Sequence, residues 1–164
     1  MTFVEILKAD HAKVKDLFSK IESGGGSKEK ILTQIEAELK LHMELEEKFL
    51  YPALEKKETE VKDKTLEGYE EHHVTKMVIK ELGKVSPSDE RWKAKVSVLQ
   101  ELVEHHIEEE EDKLFKMAKK ALDKNEIQQI TDKIQQGKQQ AGKAAYSCIG
   151  KGSASREALK AQGL

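Results

Sequence analysis

His42-Met43-Glu44-Leu45-Glu46-Glu47-Lys48-Phe49-Leu50-Tyr51 and His106-Ile107-Glu108-Glu109-Glu110-Glu111-Asp112-Lys113-Leu114-Phe115 are two versions of one segment. In each, a histidine is followed four residues on by a glutamate, then by a charged run and an aromatic. Residues four apart on a helix lie one above the other on the same face, so His42 points with Glu46 and His106 with Glu110. Both pairs interrupt apolar stripes in steps of three and four, the period of an amphipathic helix. One stripe reads Leu32, Ile35, Leu39, His42, Glu46, Phe49. The other reads Trp92, Val96, Leu99, Val103, His106, Glu110, Leu114, Met117, Ala121.

Upstream of each segment lies a matching helix with one histidine on its seam. Asp10-His11 followed by Val14, Leu17 and Phe18 corresponds to Glu71-His72 followed by Thr75, Val78 and Ile79. The first of these helices starts at Thr2, with Glu5 as its capping-box partner, and stops at the Ser23-Gly24-Gly25-Gly26-Ser27 turn. The second runs from about Lys28 past Tyr51, where Pro52 ends or kinks it. The third follows the charged Lys56 to Lys64 segment and ends near Val85. Ser88 caps a fourth that reaches about Leu122. The chain thus reads as two helical hairpins, each with one His on its first helix and a His-x-x-x-Glu on its second. Together they predict an all-α, antiparallel up-down four-helix bundle with pseudo-twofold symmetry over residues 1–122. Residues 123–164 are expected to add a short C-terminal helix, with Ile127, Ile130 and Ile134 on one side, and a flexible tail after Gly142.

Composition agrees with helices whose outer faces are charged: 37% of the 164 residues are Asp, Glu, Lys or Arg, and only 2 are proline. With 29 basic against 31 acidic residues, nothing electrostatic favours nucleic acid or an anionic membrane as partner. No stretch approaches the ~18 uncharged residues of a membrane span, and a cytoplasmic protein is expected, as a monomer or weak homo-oligomer. Cys148 is the single cysteine, so one chain cannot build a thiolate cage or a disulfide.

Histidines and glutamates on a core seam need compensation, because burying a carboxylate without a partner costs several kcal/mol or more. Two glutamates and four imidazoles facing one another include no Lys or Arg, and a pair of metal cations would supply the missing charge. Imidazole and carboxylate without thiolate suit iron, manganese or zinc. If both glutamates bridge and each metal takes two histidines, each ion has four protein ligands, and positions remain for an oxo or hydroxo bridge and a small ligand. His73 and His105 point about 100° away from their neighbours and are expected to be solvated or to support a ligand. On its own helix, Leu66 and Tyr69 favour His73 as the inward residue while Ile79 and Leu82 favour His72; the hairpin match selects His72. A ferritin-like site would need Glu-x-x-His on two helices, and only Glu70-Glu71-His72-His73 contains one.

Over residues 1–120 these motifs resemble the hemerythrin-like, or HHE cation-binding, family. The resemblance implies a four-helix bundle around a non-haem di-iron centre with His11, His42, Glu46, His72, His106 and Glu110 as ligands, manganese or zinc being substitutes. It implies a dioxygen, nitric oxide or peroxide ligand and a part in oxidative or nitrosative stress defence or iron homeostasis; no electron donor is identified. A catalytic version would decompose peroxide or reduce oxygen or nitric oxide. The alternative is a non-catalytic sensing or iron-binding module acting through its C-terminal segment. Oxygen-carrying hemerythrins have a further histidine one turn after the third-helix histidine; here Lys76 stands there, which argues against reversible oxygen carriage.

Overall fold

The computed structural model describes the backbone of residues 1–160 and the side chains of residues 1–145. Helix α1 (Phe3–Ser23) and helix α2 (Lys28–Leu45) pack together as the first hairpin. A π-helical segment, π1 (Glu46–Leu50), continues α2 into the single turn α3 (Tyr51–Leu54). Helix α4 (Thr59–Leu82) and helix α5 (Glu90–Glu109) form the second hairpin, and α5 continues through π2 (Glu110–Leu114) into α6 (Phe115–Ala121). A last helix, α7 (Lys124–Lys160), lies against α1, α2 and π1. Every element among the described residues is helical, and no described helix is long and apolar enough to cross a membrane.

The caps explain where the helices start. The Thr2 backbone N–H donates to Glu5 at 2.6 Å, and Ser27 accepts from the Lys30 N–H. Gly24 and Gly26 turn the first hairpin at φ 74° and 90°, values a side chain would resist. Asp89, rather than the expected Ser88, caps α5 by accepting from the Arg91 N–H at 2.8 Å. Its side chain is one residue nearer the first helical turn. Pro52 sits in the first turn of α3, where its missing N–H does no harm, and the helix ends two residues later.

The two π segments correct the expected seams. A π turn holds one residue more than an α turn, so the core-facing positions beyond it move on by one. Leu50 and Tyr51 are buried where Phe49 was expected, and Phe49 is only half-buried. On the other hairpin Phe115, Ala118 and Leu122 are buried in place of Met117 and Ala121. The stripes on the approaches, from Val4 to Ile21, Leu32 to Glu46 and Trp92 to Leu114, are buried as the periodicity implies.

The core has two apolar clusters. One gathers Phe3, Leu7, Leu50, Tyr51, Leu54, Leu114 and Phe115 with Ile130 and Ile134 of α7. The other gathers Val14, Phe18, Ile35, Leu39, Trp92, Val96 and Leu99. Along α1 the order is Phe3 and Leu7, then Asp10 and His11, then Val14 and Phe18, so a polar layer separates them. Helix α7 is longer than the short one expected: Gly137 and Gly142 do not stop a run otherwise rich in Lys, Gln and Ala, all good helix formers. Gly137 has a packing reason, because a Cβ there would overlap Leu45 Cδ2 at the start of π1. The Cys148 side chain, residues 161–164 and most of the expected tail lie outside the described side chains.

Candidate metal centre

The polar layer contains all six residues singled out from the sequence. His11, His42 and His106 are 3%, 4% and 7% exposed, His72 and Glu110 1% and 2%, and Glu46 is fully buried. Helix α4 thus turns His72 inward, into the polar layer, and leaves His73 exposed. His105 is 63% exposed, its Nε2 3.6 Å from Glu71.

The donor atoms fall into two groups, His11, His42, Glu46 and Glu110 in one and Glu46, His72 and His106 in the other. The Nε2 atoms of His11 and His42 are 3.2 Å apart, and those of His72 and His106 are 3.1 Å apart. Each hairpin therefore contributes one imidazole pair. The carboxylates lie between the pairs: Glu46 Oε2 is 3.2 Å from His42 Nε2 and 3.3 Å from His72 Nε2. Glu110 Oε2 is 3.3 Å from His11 Nε2 and 3.5 Å from His106 Nε2.

The outer nitrogens fix what the inner ones are. His11 Nδ1 meets Glu111 at 2.9 Å, His72 Nδ1 meets Glu47 at 2.9 Å, His106 Nδ1 meets Glu71 at 2.6 Å, and His42 Nδ1 meets Asp10 at 3.5 Å. A carboxylate partner places the proton on Nδ1 and leaves a lone pair on Nε2. Two such lone pairs 3.1–3.2 Å apart repel rather than bond. Glu46 has both carboxylate oxygens buried without a hydrogen-bond partner, and Glu110 has one. Four lone pairs and three orphaned anionic oxygens converge, and the Tyr51 hydroxyl beside His72 gives its proton to the remaining oxygen of Glu110. A cation on each group resolves this. Two imidazole nitrogens on one transition-metal ion, at ~2.1 Å and roughly at right angles, stand about 3.0 Å apart, so the residues fit a pair of metal ions.

The local field shows the same demand. Burial works against a charged His42, yet Glu46, Asp10 and Glu110 outweigh it and push the imidazole up to about 10. His106 is raised against burial by Glu110 and Glu71. Burial opposes ionisation of Glu46, but His42 and His72 hold it well below the usual carboxylate range. At His42 and His106 this field favours a positive charge, which a metal ion would equally supply.

Asp10 and Glu71, each one residue before a seam histidine, were not identified from the sequence as partners of His42 and His106. The dipeptides Asp10-His11 and Glu71-His72 were visible as repeat markers, and their carboxylates cross to the other helix of the same hairpin. Glu47 and Glu111, each following a seam glutamate, cross instead to the other hairpin. Beyond this ring stand cations: Lys76 at 2.6 Å from Glu47, Lys8 at 3.3 Å from Glu111, and Lys138 of α7 on Asp10. Burial disfavours ionised Asp10, Glu47, Glu71 and Glu111, but their imidazole and lysine partners leave all four lowered.

Tyr51 breaks the symmetry. The π turn joins the Tyr51 N–H to the Glu46 carbonyl five residues back and brings the ring onto the site face. Its hydroxyl donates to Glu110 Oε1 at 2.8 Å and lies 3.3 Å from His72 Nε2. Burial raises the phenol well above its usual value, and Glu110 and Glu46 raise it further. Phe115, its counterpart, stacks on His11 with ring centroids 5.8 Å apart and offers no hydroxyl. From sequence Tyr51 reads as plain core, since α-helical phase turns it away from Glu46. Gly68 makes room for it: a Cβ there would come within 2.8 Å of the Tyr51 hydroxyl. Gly68→Ala is therefore expected to destabilise by about 1–3 kcal/mol, against the ~1 kcal/mol that alanine normally gains in a helix. Urea denaturation of a double-mutant cycle with Tyr51→Phe checks this, because removing the hydroxyl should recover most of the loss.

Above the histidines is a small cavity lined by Val14, Leu39, Met43, Thr75, Val103 and Ile107. About 10 Å³ is open to the centre of a water-sized sphere, room for about one water or for the outer end of a small ligand held at the metal groups, and far short of an organic one.

Among the described residues every element is helical, and the buried histidines and carboxylates have the number and spacing of a set that could hold metal ions. The sequence model of the hemerythrin HHE cation binding domain matches residues 2–118. The chain belongs to the hemerythrin HHE cation-binding domain family. A hemerythrin HHE cation binding domain-containing protein from Mycobacterium kansasii has the same fold at a TM-score of 0.74 and 20% identity, over 89% of this chain and 91% of that one. A Nostoc protein named DNA nickase is 28% identical over 131 residues, which are 79% of this chain and 37% of that protein.

Proposed function

We propose that the chain is a non-haem di-iron protein whose two hairpins form an antiparallel up-down four-helix bundle around the metals. The ligands are His11 and His42 to one iron, His72 and His106 to the other, and Glu46 and Glu110 shared between them. The observation that supports this best is the convergence of four Nε2 lone pairs, in two pairs, on the orphaned oxygens of Glu46 and Glu110. Iron is favoured over manganese or zinc because a histidine-carboxylate set with an adjoining cavity suits a redox-active ion that keeps open positions. When bound, the iron pair supplies redox chemistry toward dioxygen, peroxide or nitric oxide, in stress defence or iron homeostasis within the cytoplasm.

The protein's own groups do the rest. Asp10, Glu47, Glu71 and Glu111 hold each imidazole in one tautomer and orientation. Tyr51 keeps a proton beside Glu110. The apolar cavity restricts access to ligands of a few atoms and keeps bulk water out. Lys76, which replaces the fifth histidine of the oxygen carriers, is turned to Glu47, in keeping with reactivity rather than oxygen transport. The name of the Nostoc relative belongs to a protein of which this chain spans 37%, and the charge balance here has no footprint for DNA.

Metal analysis and an optical spectrum of protein from iron-replete cells test the proposal. About two irons per chain, with near-ultraviolet charge-transfer bands that bleach on reduction, are expected of a histidine-carboxylate pair site. Iron near zero that ferrous ion cannot restore anaerobically would sink it. Oxygen release from peroxide, or its absence, then separates enzyme from binding module.

A second reading, a sensing module acting through the C-terminal segment, is favoured by one contact. Lys138 of α7 pairs with Asp10, which in turn holds His42. If α7 senses the centre, proteolysis of α7 will differ between oxidised and reduced iron-loaded protein, and Lys138→Ala will abolish the difference. Equal cleavage in both redox states removes this reading.

A further inference from the structure

Helical threonines commonly return the hydroxyl to the carbonyl four residues back, and Thr33, Thr65 and Thr131 do so at 2.7–2.9 Å. Thr75 does not. It is only 4% exposed and lines the cavity above the histidines, and among the described residues its hydroxyl has no hydrogen-bond partner. The other polar groups at the cavity wall are committed. The four imidazoles give their Nδ1 protons to carboxylates, and Asp10 is held by His42 and Lys138. The remaining wall is Val14, Leu39, Met43, Val103 and Ile107. At the pseudo-twofold position of Thr75 stands Val14, so the hydroxyl is on one side only, next to His72 and His106.

We infer that the Thr75 hydroxyl is the hydrogen-bond donor that orients the outer end of a two- or three-atom ligand in this cavity and biases it toward the His72/His106 side. A hydroxyl that opens onto the cavity and is not used by the protein is free to donate, and a ligand with a terminal lone pair accepts from it while an apolar one does not. Thr75 acts as a positioning and specificity residue, favouring anionic or polar small ligands over inert gases of the same size. This assignment rests on the di-iron proposal.

Azide, a three-atom anion, is the probe. In the iron-loaded protein its infrared stretch is expected to shift between H₂O and D₂O, reporting an exchangeable donor. Thr75→Val preserves shape, so iron content should hold while the solvent-isotope shift disappears and azide affinity falls about five- to tenfold, the worth of one net hydrogen bond. Thr75→Ser restores the hydroxyl and should restore both signals. Iron-loaded wild type without the isotope shift, or Thr75→Val with unchanged affinity and shift, overturns the inference and leaves the di-iron proposal standing. Wild-type protein that takes up no iron overturns both.

Discussion

Glu46→Leu will strip the protein of metal and make the metal-free chain more stable, by about 1–4 kcal/mol. Glu46 is fully buried, and neither of its oxygens has a hydrogen-bond partner. An ordinary core would not keep such a group. In the metal-free chain its compensation comes from charged imidazoles that burial itself opposes. Leucine has a similar volume and no charge to desolvate, and His42 can then be neutral with its Nδ1 on Asp10. Iron content and urea denaturation, measured on chelator-treated wild type and variant, check the two effects together. Iron content unchanged in the variant would mean that Glu46 is not a ligand and would overturn the metal reading at this residue, and a clear loss of metal-free stability would mean that Glu46 serves the metal-free chain as an ion-pair residue.

Loading with ferrous iron will raise the thermal midpoint of the wild type by about 10 °C or more. A ligand at a thousand times its dissociation constant adds about 4 kcal/mol, and in a chain of this length each kcal/mol moves the midpoint by about 2–4 °C. The location of the ligands makes the effect global. Each imidazole pair belongs to one hairpin, while Glu46 and Glu110 each reach the pair of the other. Metal at either group therefore ties the two halves of the chain together. The His42→Ala/His106→Ala variant keeps the apolar clusters and removes one donor from each group, so its midpoint should not respond to iron. A wild-type midpoint indifferent to both iron and chelator would rule out tight binding at this site.

Much of this arrangement was legible because residues of the wrong polarity fell on periodic seams. His11, His42, Glu46, His106 and Glu110 stood out against Val, Leu and Ile, and the internal repeat chose His72 over His73. The repeat located the residues without showing their environment. Asp10 and Glu71 looked like helix-surface carboxylates, since spacing along one helix says nothing of which neighbouring helix a side chain crosses to. Beyond Glu46 and Glu110 the phase itself failed. A π turn has no signature in hydrophobic periodicity except the error it leaves, here the merely partial burial of Phe49 and Met117 and the full burial of Leu50 and Ala118. Tyr51 was missed for that reason. The hold of α7 on the site through Lys138 and Gly137 was equally hidden, because it depends on where a fifth helix docks.

The two π segments also set how the gene for such a chain can drift in length. An α-helix that loses one residue normally turns its remaining face by about 100° away from its neighbours. In π1 the surplus residue is already present, so a deletion between Glu47 and Leu50 would let the backbone close into ordinary α-helix with its ladder intact. Folding would survive what function would not: Tyr51 would no longer lie over Glu46 or reach Glu110, and Pro52 would meet a continuous helix in place of a fresh first turn. Single-residue deletions at these two places should yield shorter, well-folded relatives with altered centres, and elsewhere in the four long helices they should yield no protein at all.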